Sequence, residues 1–195
     1  MPLSAALRAI ARPALLIGVG LVGTALAAVG PVAPAARPAN SQCRAGEVVI
    51  YSCRFGTASR PAIGSVCGGT QSVHYRYGPA GRPALDIASA PDWRNVHVDG
   101  VRGQGGGFQD HVRFTSGETH YIVFRGEDGS LASRPGRTYS GIAVLAGPQG
   151  ERALATLACR GGATIAADLT GAVIDRAPPG AELGEETDGP FDAWF

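Results

Sequence analysis

The stretch HVRFTSGETHYIVF, residues 111–124, decides the fold class. Its two halves are rich in β-branched and aromatic residues and flank the turn pair Ser116-Gly117. Runs of this composition joined by two turn residues are typical of a β-hairpin. In the register set by that turn, Arg113 lies opposite His120, and His111 projects from the same face. The stretch therefore predicts an antiparallel hairpin with one polar face.

Short runs of the same kind continue on both sides of the hairpin, with glycine- and proline-rich turns between them. The run SVHYRY alternates most clearly, because Val73, Tyr75 and Tyr77 share one face while His74 and Arg76 share the other. The pattern predicts an all-β fold, in which a small antiparallel meander closes into a barrel or a sandwich. The predicted strands besides the hairpin are 48–55, 63–67, 72–77, 85–88, 96–101, 139–145 and 154–159.

Residues 1–27 have the layout of a secretory signal peptide: a basic start, an apolar run over 14–29 and small residues at the exit. The A-x-A site at 25–27 predicts cleavage before Ala28, and the site at 33–35 is the alternative. An uncleaved anchor is disfavoured, because the apolar run is shorter than the roughly 20 residues that a spanning helix needs. The chain is rich in alanine and arginine and has no lysine. These features predict a bacterial protein that is periplasmic or secreted.

Composition divides the rest of the chain into three parts. Residues 28–46 form a Pro/Ala-rich linker, 47–160 the β domain, and 161–195 an acidic tail that we expect to be flexible. From Cys43 to Arg160 there are 13 arginines and nine acidic residues, a net charge of +4. The tail has a net charge of −6, from Arg176 against Asp168, Asp175, Glu182, Glu185, Glu186, Asp188 and Asp192.

Four cysteines in an exported chain predict two disulfides. Three pairings of Cys43, Cys53, Cys67 and Cys159 are possible, and the sequence alone does not choose among them. The preferred pairing is Cys53–Cys159, which joins the first and last strands, with Cys43–Cys67 pinning the N-terminal segment. Since the chain has no C-x-x-C pair, a structural role is favoured over a redox one.

The histidines raise the question of a metal site, in which Asp110 and His97 would join His111 and His120. A guanidinium repels cations, and Arg113 lies across from His120 in the predicted register, so no metal site is predicted. No cofactor is predicted either. The glycine-rich run over 103–107 lacks the G-K-[ST] ending of a phosphate-binding loop and is interpreted as a flexible loop.

Two short motifs carry a resemblance to a known family. Tyr51-Ser52-Cys53 at the start of the β domain and Leu157-Ala158-Cys159 at its end resemble the bacterial periplasmic and membrane-bound inhibitors of C-type lysozyme. The resemblance implies export, a small antiparallel barrel, and a disulfide between the opening and closing strands. That family inserts a serine and a lysine into the lysozyme cleft, and this chain has no lysine, so no functional residue is carried over.

Together these features predict a non-enzymatic binding module of the bacterial cell envelope, possessing a lysozyme-inhibitor-like fold. The alternative is an envelope hydrolase with a Ser-His-Asp triad assembled from separate loops, which a sequence does not reveal. The expected partner is an envelope protein or an anionic envelope polymer. Nucleic acid binding and a membrane span after signal cleavage are not expected, and the chain is predicted to be a monomer. The candidate contact residues are His111, Arg113, Glu118, His120, Gly105 and Gly106, with Phe191, Trp194 and Phe195 as a docking motif in the tail.

Overall fold

The computed structural model describes residues 40–184. The predicted signal peptide, most of the predicted linker, and the tail residues Phe191, Trp194 and Phe195 lie outside the described residues. Within residues 40–184, no helix has both the length and the apolar composition needed to cross a membrane.

Ten strands and one short helix make up the described part of the chain, and every strand pairing is antiparallel. The first sheet has the order β10-β1-β2-β3-β4, and the second has the order β5-β6-β7-β8-β9. The predicted meander is therefore confirmed, but it forms two separate sheets and does not close into a barrel. The elements are β1 (Val48–Thr57), β2 (Arg60–Gly68), β3 (Val73–Gly78), β4 (Leu85–Ala88), β5 (Val96–Arg102), β6 (Phe108–Ser116), β7 (Thr119–Glu127), β8 (Thr138–Ala146), β9 (Arg152–Ala158), β10 (Thr164–Ile165) and α1 (Leu169–Ile174).

The two sheets share one hydrophobic core. Because successive side chains on a strand point to opposite faces, each strand of the alternating pattern sends one set of apolar residues inward. Tyr75 of the first sheet lies at its centre, with its ring centroid 5.8 Å from that of Phe114 and 5.5 Å from that of Tyr121 in the second sheet. Burial in this core raises the pKa of the Tyr75 hydroxyl far above its ordinary value.

The disulfides are Cys53–Cys159 and Cys43–Cys67, which is the pairing that the sequence favours. Cys53 lies on β1 and Cys159 directly follows β9, so this bond ties the first sheet to the second. Cys43–Cys67 ties the segment before β1 to β2.

The predicted domain boundaries need correction at both ends. Residues 161–184 belong to the folded domain, because β10 pairs with β1 and α1 buries Leu169 and Val173 completely in the core. The charge pattern of this region suggested a flexible tail, but two apolar residues four positions apart are enough to dock a short helix. At the other end, Ser41, Gln42 and Cys43 are buried, so the fold begins within the predicted linker.

The central hairpin has a different register from the predicted one. Ser116 pairs with Thr119, so the two turn residues are Gly117 and Glu118. Gly117 has a φ of +59°, a conformation that glycine adopts without steric cost at the first central position of a hairpin turn. Arg113 consequently lies opposite Ile122 and not opposite His120. The shift is two residues, so each side chain keeps its predicted face.

Candidate functional site

The second sheet has a buried outer face, pointing away from the core that the two sheets share. One face of an antiparallel sheet usually meets water, so polar and exposed side chains are the ordinary expectation there. Here Arg113 is only 2% exposed, Phe124 1% and Ile122 0%. We call this surface the second outer face. Its members are His97, Gln109, His111, Arg113, Ile122, Phe124, Tyr139, Ala143 and Leu145.

A basic strip occupies one side of the second outer face. His97 on β5 is the register partner of Arg113 on β6, and the His97 and His111 ring centroids are 6.0 Å apart. These three side chains therefore form one cluster over two neighbouring strands.

An apolar strip lies beside the basic one, on β7 and β8. Ile122, Phe124, Ala143 and Leu145 form a hydrophobic cluster separate from the main core, with Tyr139 packed against it. The Phe124 and Tyr139 ring centroids are 6.4 Å apart. The second outer face therefore combines a basic strip with an apolar one.

The structure brings together only part of the predicted contact set. His111 and Arg113 are neighbours on the second outer face, whereas Glu118 lies in the exposed turn at the end of the hairpin. Both ring nitrogens of His120 are used locally: one lies 3.0 Å from Thr115 Oγ1 and the other 2.9 Å from the Gly147 carbonyl oxygen. His120 therefore fastens β7 to its neighbours at that end of the sheet.

The glycine loop supports a neighbouring connection. Gly105 has a φ of +76°, and its carbonyl oxygen accepts a hydrogen bond from the Ser130 N–H at 2.8 Å. A Cβ atom at this position would come within 2.7 Å of Ser130 Oγ, so a residue larger than glycine does not fit. Gly106 lies at the exposed surface beside it. The loop thus packs against the connection between β7 and β8.

The histidines do not gather with Asp110 into a metal site. Asp110 and His111 are consecutive on β6 and so point to opposite faces. The Asp110 carboxylate is held by Arg102 at 2.7 Å and Arg125 at 3.0 Å, and these two guanidinium groups also flank the Phe108 ring. One other group of possible ligands, Cys43, Glu47 and Cys67, lies close together, but both thiols are consumed by the disulfide.

The outer face of the first sheet is covered by residues 40–47, which we call the N-terminal strap. Ser52 Oγ donates to the Asn40 carbonyl oxygen at 2.8 Å, and the Gln42 N–H donates to Ser65 Oγ at 3.1 Å. The Cys43–Cys67 disulfide fixes the middle of the strap to β2. The strap therefore has both covalent and hydrogen-bonded attachments to the sheet.

A buried arginine lies under the strap. The side chain of Arg76 is 0% exposed, and its guanidinium contacts Glu47 at 2.5 Å and Asp86 at 2.9 Å. Burial by itself raises the pKa of both carboxyl groups, but the hydrogen bonds from Arg76 outweigh it, and the pKa of each lies below its ordinary value. The sequence places Arg76 on the polar face of β3, but no sequence signal showed that residues 40–47 cover it.

The predicted alternative, a hydrolytic triad, would require a histidine beside an acid and a serine. His74 lies 2.9 Å from Asp86, but the Asp86 carboxylate also binds Arg76 and Arg44. The four clefts described among residues 40–184, of 190 to 380 Å³, have no histidine among their described lining residues. A histidine beside a serine and an acid at a cleft is the arrangement that catalysis by a triad requires.

Comparison with known proteins gives no match: no protein-family model, no curated protein and no solved structure is similar to this chain.

Proposed function

We propose that this chain is an exported binding module of the bacterial cell envelope, built as a disulfide-linked β-sandwich, which binds an acidic segment of a protein partner. The binding surface is the second outer face. The single observation that carries this proposal is the cluster of His97, His111 and Arg113 on a sheet face that points away from the shared core.

The ligand chemistry follows from the two strips of the face. Arginine presents a planar fork of donors that matches a carboxylate with two parallel hydrogen bonds. His97 and His111 extend this preference over the neighbouring positions. The basic strip therefore selects aspartate and glutamate side chains.

The apolar strip distinguishes a protein partner from a polymer. Phe124, Ile122 and Leu145 are buried, and an apolar cover over them is favoured by about 25 cal/mol for each Å² of apolar surface that it keeps from water. An anionic polysaccharide or polyphosphate would satisfy the basic strip and leave this apolar area wet. Aromatic side chains, which bury large areas and are enriched in protein interfaces, match the strip better.

The two disulfides are consistent with the predicted export of the chain. Two disulfides join the four cysteines among the described residues, and such bonds persist in oxidising compartments such as the periplasm. The signal peptide and the monomeric state remain predictions.

The proposal is tested by a bait experiment with a matched pair of variants. The chain, secreted with its own leader, serves as wild type, as Arg113→Gln and as Arg152→Gln, in which an exposed arginine of β9 is changed. We expect one envelope protein to be retained by wild type and Arg152→Gln and lost from Arg113→Gln. A synthetic peptide carrying that protein's acidic segment should then bind the purified chain, with Arg113→Gln weakening it by about 2–5 kcal/mol.

Two outcomes contradict the proposal. Partners that are retained equally by all three baits place the binding surface elsewhere. A retained partner whose acidic segments have no affinity for the chain contradicts the ligand chemistry.

A lysozyme inhibitor is the second candidate of the same class. The feature that favours it is the Cys53–Cys159 bond between the opening strand and the end of the closing strand of the meander. The turnover of a C-type lysozyme, measured with and without micromolar chain, distinguishes the two: unchanged turnover leaves the envelope-protein partner as the better proposal.

A further inference from the structure

We propose that the free edge of β9 binds an extended acidic segment of a protein partner, which adds to the second sheet as a further strand. The site consists of the outer edge of residues 155–158, the cleft beside this edge, and two arginines at its end, Arg54 and Arg160. We call it the β9 edge site. It lies apart from the second outer face, so it adds a binding site to the proposed function and does not depend on it.

Among residues 40–184, β9 is the sheet edge with the least protection. The start of β5 is covered, because the Gly184 N–H donates to the Val96 carbonyl oxygen at 2.7 Å. β10 has only two residues, and β4 has four, one of which is the charged Asp86. β9 has seven residues, and those from 153 to 158 include no charged residue and no proline. Since sheet edges are usually protected by covers, charges or short length, β9 is the edge on which a further strand can form.

The backbone of β9 presents hydrogen-bonding groups along this edge. The Cys159 N–H donates to the Ser140 carbonyl oxygen at 2.9 Å, so this group faces β8. Residues 155–158 continue the same pairing, and the register shift against β8 lies nearer the start of β9. Because backbone groups alternate between the two edges of a strand, the N–H and C=O groups of Thr156 and Ala158 point away from β8. No strand of the described chain lies on that side of β9.

A cleft of 190 Å³ lies beside this edge, where β9 faces the end of β1. Phe55 is 3% exposed and Leu157 packs against the main core, so the cleft has an apolar floor. Its volume is below the roughly 300 Å³ of a small ligand pocket, so it suits one side chain of a strand that pairs with β9. The lining residues are Phe55, Gly56, Thr57, Thr156, Leu157, Ala158 and Arg160.

Two exposed arginines give the site its charge. The Arg160 N–H donates to the Arg54 carbonyl oxygen at 3.0 Å, so the end of β9 and β1 lie side by side. Both side chains are exposed, and neither has a carboxylate partner in the described part of the chain. β1 and β9 themselves contain no acidic residue. A segment that carries aspartate or glutamate is therefore complementary in charge to this edge.

The backbone groups and the cleft favour a protein segment over other anions. A polysaccharide or a polyphosphate can bind the two arginines, but it has no N–H and C=O groups at the spacing of a β-strand. An added strand uses main-chain hydrogen bonds for affinity and side-chain pockets for specificity. Successive side chains of such a strand point to opposite faces. A segment in which apolar and acidic residues alternate can therefore place an apolar side chain in the cleft and keep its carboxylates within reach of the arginines.

Fluorescence anisotropy of a labelled peptide tests the site on the full chain, purified with its disulfides intact. The probe alternates glutamate with valine and has the length of β9. We expect saturable binding to wild type and about tenfold weaker binding when Arg54→Gln and Arg160→Gln are combined, because two exposed ion pairs are then lost. The control is Arg152→Gln, which changes an exposed arginine at the other end of β9 and should bind as wild type does.

Two further changes test whether the peptide adds as a strand. Thr156→Pro removes an outward N–H and no hydrogen bond to β8, and proline is tolerated at such edge positions. It should weaken binding about tenfold while the thermal unfolding temperature stays close to that of wild type. The second change leaves the protein untouched: two probes are methylated on alternate backbone nitrogens, in the two possible phases. One phase removes the donors that face β9 and should bind at least about tenfold more weakly than the other.

Three outcomes overturn the inference: no saturable binding of the probe, equal affinity for wild type and the Arg54→Gln, Arg160→Gln chain, or equal binding of the two methylated probes. Arg113→Gln separates this site from the second outer face. Unchanged binding of the probe to Arg113→Gln supports the β9 edge site, whereas loss of binding would place the probe on the second outer face instead. The proposed function fails separately, when its envelope partner is retained by Arg113→Gln.

Discussion

The outer faces of the two sheets each bury an arginine, but they do so in different ways. Each presents one buried arginine near the middle of a strand, Arg76 on β3 and Arg113 on β6. Arg76 lies under a strap that a disulfide attaches to the sheet, and two carboxylates hold its guanidinium. Arg113 lies in a basic strip beside apolar side chains, where no disulfide among the described residues attaches a cover. From this difference we infer that the first outer face stabilises the fold, whereas the second serves for binding.

The largest effect on the free energy of unfolding is expected from replacing each of these arginines in turn. Arg76→Met removes one partner of a buried ion pair and leaves Glu47 with its desolvated charge, which should lower the free energy of unfolding by about 3–5 kcal/mol. Arg113→Met should lower it by less, because methionine suits the apolar strip beside it. Urea unfolding followed by circular dichroism measures both.

The exposed Arg82, changed to methionine, is the control for this pair. Its effect should be within about 0.5 kcal/mol of zero. Equal losses for Arg76→Met and Arg113→Met would break the comparison, since the second face would then be as much a part of the stable fold as the first.

A smaller effect is expected from removing the strap's covalent bond. The Cys43–Cys67 disulfide closes a loop with a sequence separation of 24 residues. On the chain-entropy model its loss in a Cys43→Ala, Cys67→Ala chain lowers the free energy of unfolding by about 3 kcal/mol. Urea unfolding followed by circular dichroism measures this loss. An unchanged free energy of unfolding would show that the strap holds to the sheet without its covalent bond.

Most of the fold could be predicted from the sequence because its strands obey local rules. Alternation in SVHYRY and the two-residue hairpin turn give strand positions that match β3, β6 and β7 within a few residues. The hairpin register was wrong by two residues, since Ser116-Gly117 and Gly117-Glu118 both look like turns and only the paired backbone distinguishes them. Periodicity does not report whether a meander stays in one sheet, so the division into two sheets was missed.

The candidate site was predicted less well, because its properties depend on whether residues distant in sequence cover the sheet face. The sequence correctly places His111 and Arg113 on one hairpin face, but it suggests a half-exposed polar surface where the structure has a buried one. Burial of a sheet face by distant residues leaves no local pattern. The same limit explains why residues 40–46 were interpreted as linker, although Gln42 and Cys43 are buried against the first sheet.

Acid should weaken the first face in a way that can be traced to one carboxylate. The pKa values of Glu47 and Asp86 are lowered in the folded chain by Arg76, so both groups stabilise the fold above their ordinary pKa, near 4, and lose that contribution as the pH falls. Thermal unfolding between pH 7 and pH 3 should therefore show wild type converging on Glu47→Gln, which has no carboxylate to protonate. The difference in unfolding free energy between them should be largest at neutral pH and shrink below about pH 5. A constant difference over this range would mean that the Glu47 carboxylate titrates as it does in the unfolded chain, and that the strap's hold on Arg76 contributes nothing through charge.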